Sequence, residues 1–68
     1  MKKNLELFQT ELKTVTAKID ELEERCRWFE KQNDLSDTDY AEYEKLGMEI
    51  ETLKERQNRI LMLIHASR

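Results

Sequence analysis

Cys26 is the only thiol in the 68-residue sequence and His65 the only imidazole. A cysteine nucleophile needs a depressed pKa and a base within hydrogen-bond reach. About forty residues separate the two groups along the chain, and the elements described below put them at opposite ends. Cys26 is therefore read as a small hydrophobe. One His and one Cys cannot complete a zinc site without carboxylates. The cluster Asp34, Asp37, Asp39 and Glu42 has the charge for a hard cation but lacks the glycine and twelfth-position Glu of a calcium loop. Carboxylate pairs such as Glu23 with Glu24 sit in a solvated pattern with no pocket to raise a pKa. Gly47 is the only glycine, so no glycine-rich phosphate loop exists. The reading is of a protein that is not an enzyme, with no catalytic residue, cofactor or metal.

Two stretches retain the means to bind. Arg25-Cys26-Arg27-Trp28-Phe29-Glu30-Lys31 interleaves basic and aromatic side chains, and Arg25, Arg27, Trp28 and Lys31 form a candidate nucleic-acid patch. Dimeric helical hairpins are an architecture able to bind paired RNA loops, but Glu23, Glu24 and Glu30 dilute the field of this patch. Ile60-Leu61-Met62-Leu63-Ile64 is apolar around a whole helical turn.

The elements that carry these stretches follow from periodicity. Leu5, Phe8, Leu12, Val15, Ile19, Leu22, Cys26 and Phe29 alternate three and four residues apart, an unbroken heptad that marks a helix packed along its length against another. The heptad fails at Asn33, which predicts a first helix over about 3–32. In Leu35-Ser36-Asp37-Thr38-Asp39-Tyr40, Ser36 has the place of an N-cap and Asp39 that of a capping-box acid. Leu35 and Tyr40 hold the two positions of a hydrophobic staple. Tyr43, Leu46, Ile50, Leu53, Ile60 and Ile64 then resume the spacing, with Gln57 the only polar core position, and predict a second helix over about 37–66. A loop of residues 33–36 forces the two helices to be antiparallel neighbours.

Charges flanking the seam give an independent register. On one flank Glu11 falls opposite Arg56, Lys18 opposite Glu49 and Arg25 opposite Glu42, all opposite in sign. The other flank, with Gln9, Thr16, Glu23 and Glu30 facing Gly47, Lys54 and Leu61, includes small and neutral residues that a second hairpin could cover. The expected fold is all-α: one domain over 1–68, an antiparallel two-helix hairpin of coiled-coil type that dimerises into a four-helix bundle. So short a chain rarely buries enough apolar surface alone, which makes self-association, with a homodimer the choice, or a larger partner the expected remedy.

Composition narrows the function class. With 40% charged residues, no Pro and a net charge of -3 from interleaved signs, neither a polybasic arm nor an acidic nucleic-acid mimic is present. Glu6, Gln9 and Glu11 deny the start of the sequence a secretory apolar core, no stretch approaches a membrane span, and a single Cys suits a reducing compartment; a cytoplasmic location is expected. In the turn 60–64 a hairpin seam buries only Ile60 and Ile64. Leu61, Met62 and Leu63 need another surface, and Leu7 lies at the same height. Either the homodimer covers them or they dock a different protein. The expected function is a small interaction or regulatory module of the adaptor, inhibitor or chaperone-like kind. The alternative is an RNA- or DNA-binding hairpin dimer that uses the Arg25, Arg27, Trp28 and Lys31 patch.

Overall fold

Apolar residues at three-four spacing make two helices bury a common seam. A computed structural model describes residues 2–67 and, among side chains, those of residues 4–67. α1 runs over Lys2–Glu30 and α2 over Asp37–Ala66, and the two pack against each other along a molecule 51 × 14 × 13 Å in extent. Arg56 lies against Glu11 near the open end and Glu42 against Arg25 near the connection, so the helices are antiparallel. Among the described residues there is no strand.

Every heptad position expected in the seam is buried or half-buried. Val15, Ile19, Ile60 and Ile64 form one buried cluster, with Leu5, Phe8, Leu12, Ile50 and Leu53 packed on it. Leu22, Phe29 and Leu46 form the second, closed by Cys26, Leu35 and Tyr43. Gln57, half-buried, donates from Nε2 to Thr16 Oγ1 over 3.0 Å, so the one polar seam position is satisfied across the helix pair.

α1 stops two residues earlier than the heptad predicts. Its final turn tightens: Lys31 N is shared by the carbonyls of Arg27 and Trp28 at 3.2 Å, and Gln32 N reaches only back to Phe29 O at 3.1 Å. Gln32 Nε2 also donates to Trp28 O over 3.4 Å, competing with helical continuation. The connection is thus residues 31–36, still short enough to keep the helices adjacent. α2 starts where expected, because Asp39 N donates to Ser36 Oγ over 3.1 Å while Ser36 N donates to Asp39 Oδ2 over 3.3 Å, a complete capping box. Leu35 turns onto the core cluster at the connection, and Tyr40 stays 57% exposed.

One expected ion pair is missing. Lys18 Nζ sits 3.7 Å from Glu21 Oε2 on its own helix instead of meeting Glu49. A neighbour one turn away costs a lysine less side-chain freedom than a reach across the seam. The opposite flank carries a pair that charge matching did not give, Lys54 Nζ to Glu23 Oε2 at 3.5 Å. Helical side chains lean towards their own N-terminus, in opposite directions on antiparallel helices, so Glu23 and Lys54, staggered along the axis, lean towards each other.

Candidate interaction surfaces

Seam geometry sorts the exposed side chains by flank. Beside the Glu11, Lys18 and Arg25 positions of α1 and the Glu42, Glu49 and Arg56 positions of α2 lies the charged flank. Arg56 Nε donates to Glu11 Oε1 over 3.1 Å with Nη2 on the same oxygen, and Arg25 Nη2 reaches Glu42 Oε1 at 3.5 Å. Between these pairs, where Lys18 and Glu49 stand apart, an open groove is lined by Lys18, Lys45, Met48, Glu49, Thr52 and Leu53. The second flank is tied by Gln57 to Thr16, Lys54 to Glu23, and Tyr43 Oη donating to Glu30 Oε2 over 2.8 Å.

Leu61, Met62 and Leu63 of the apolar C-terminal turn and Leu7 of α1 are all exposed but do not share one face. Leu61, 37% exposed, borders the second flank, in line with Lys54 and Gly47. Leu63 borders the charged flank at the height of Leu7, and Met62, 71% exposed, points away from the seam on the outer side of α2. Buried Ile60 and Ile64 separate Leu61 from Leu63. Leu7 with Leu63 thus lies on one flank, Leu61 on the other, and Met62 at the back.

Arg25, Arg27, Trp28 and Lys31 are likewise divided. Arg25 is held by Glu42, and the groove it shares with Trp28 and Phe29 is also lined by Asp39 and Glu42, two carboxylates. Trp28 is 56% exposed and stands edge-on to Phe29, ring centroids 5.1 Å apart. Arg27 lies two residues from Arg25, about 200° around the helix, and Lys31 is in the connection. The basic groups fan around the end of α1 instead of lining one groove.

Two side chains were not legible as surface features from sequence. Tyr40 was accounted for by the staple, and Met48, at the back of α2 beside the charged flank, belonged to no motif; both are exposed. Burial, with a smaller push from the Glu30 and Glu23 carboxylates, holds the Cys26 thiol above its ordinary range against a weaker opposing pull from Arg27. That suppresses the thiolate a nucleophile requires. Among the described residues no three His, Cys, Asp or Glu side chains converge in a way that could hold a metal ion, the acidic group at the start of α2 included. Among the described residues no helix is long and apolar enough to cross a membrane. Compared with known protein families, curated proteins and solved structures, the chain matches none, and its function is argued from these surfaces.

Proposed function

We propose that the chain is a non-enzymatic interaction module, a helical hairpin that self-associates and docks another protein as an adaptor, inhibitor or chaperone-like accessory factor in the cytoplasm. The observation that carries this reading is the turn Leu61-Met62-Leu63, three consecutive large apolar residues exposed on a helix that already buries Ile60 and Ile64. Apolar side chains displayed around a helix, with Leu7 beside them, favour a protein partner over a charged polymer. Nucleic acid is the weaker reading because Arg25 is paired and acids line the groove beside Trp28.

Leu63→Lys charges the outer edge of the seam without touching Ile60 or Ile64. On this reading it keeps the helix content of the hairpin and abolishes capture of a protein partner from the native host, with little dependence on salt. Capture of nucleic acid whose affinity collapses between low and moderate salt would instead favour the alternative.

A further inference from the structure

We draw no further inference here: the strongest candidate, the open groove on the charged flank between the Glu11–Arg56 and Arg25–Glu42 pairs, lined by Lys18, Lys45, Met48, Glu49, Thr52 and Leu53, carries rim charges of both signs that single out no ligand, and nothing in the structure shows what covers it.

Discussion

Tyr43 holds a core position yet keeps a polar contact, and this couples the hairpin to alkaline pH. Its hydrogen bond to Glu30, with smaller contributions from partial burial and from the Glu30 and Cys26 charges, raises its pKa above the ordinary phenol value. The Cys26 thiol is raised too, chiefly by burial. For both groups the folded chain keeps a proton that the unfolded chain releases, so their stabilising contribution is complete below about pH 8.5 and is lost as pH climbs through the raised values. Melting temperature is expected to fall progressively above about pH 9, and Tyr43→Phe to flatten the part of that fall near the phenol's titration. An alkaline limb unchanged by Tyr43→Phe would remove Glu30 as its cause. Gly47 gives a second expectation. With open space at its Cβ position, Gly47→Ala should stabilise the hairpin by about 1 kcal/mol in urea unfolding. A loss of stability would mean that another chain fills that space.

At the scale of the helices, the start of α2 rests on one side chain and the register on a few. Ser36→Ala removes the acceptor for Asp39 N and should cost about 0.5–2 kcal/mol. Ion pairing should be uneven along the charged flank. A double-mutant cycle on Glu11 and Arg56 is expected to give a coupling of about 0.2–1 kcal/mol that shrinks in salt, and one on Lys18 and Glu49 a coupling indistinguishable from zero. Equal couplings would show that Lys18 spends its time on Glu49 and not on Glu21. These elements were largely legible in the sequence, since burial of a seam leaves a 3.5-residue period that Leu5 to Phe29 never breaks, and a capping box is local chemistry. What was not legible depends on competition between neighbours. Lys18 had an acid available on either helix, and the end of α1 was decided by how Lys31 and Gln32 share the last carbonyls. The exposed apolar residues Leu7, Leu61, Met62 and Leu63 were legible too, because once Ile60 and Ile64 are given to the seam the heptad sets Leu61 and Leu63 on its two sides.

For the molecule as a whole, the hairpin has one long seam and, outside it, exposed Leu7, Trp28, Tyr40, Met48, Leu61, Met62 and Leu63. Single exposed apolar residues are ordinary, but seven among the described residues, three of them consecutive, leave much apolar area to be covered. On the proposed reading that area is covered by self-association and by a protein partner, and both proposals follow from the same distribution of side chains. The mass of the isolated chain in solution tests this most directly. Sedimentation equilibrium at micromolar concentration and moderate salt is expected to return twice the 8.3 kDa of one chain. A well-folded, strongly helical species that stays at 8.3 kDa across that range would contradict it.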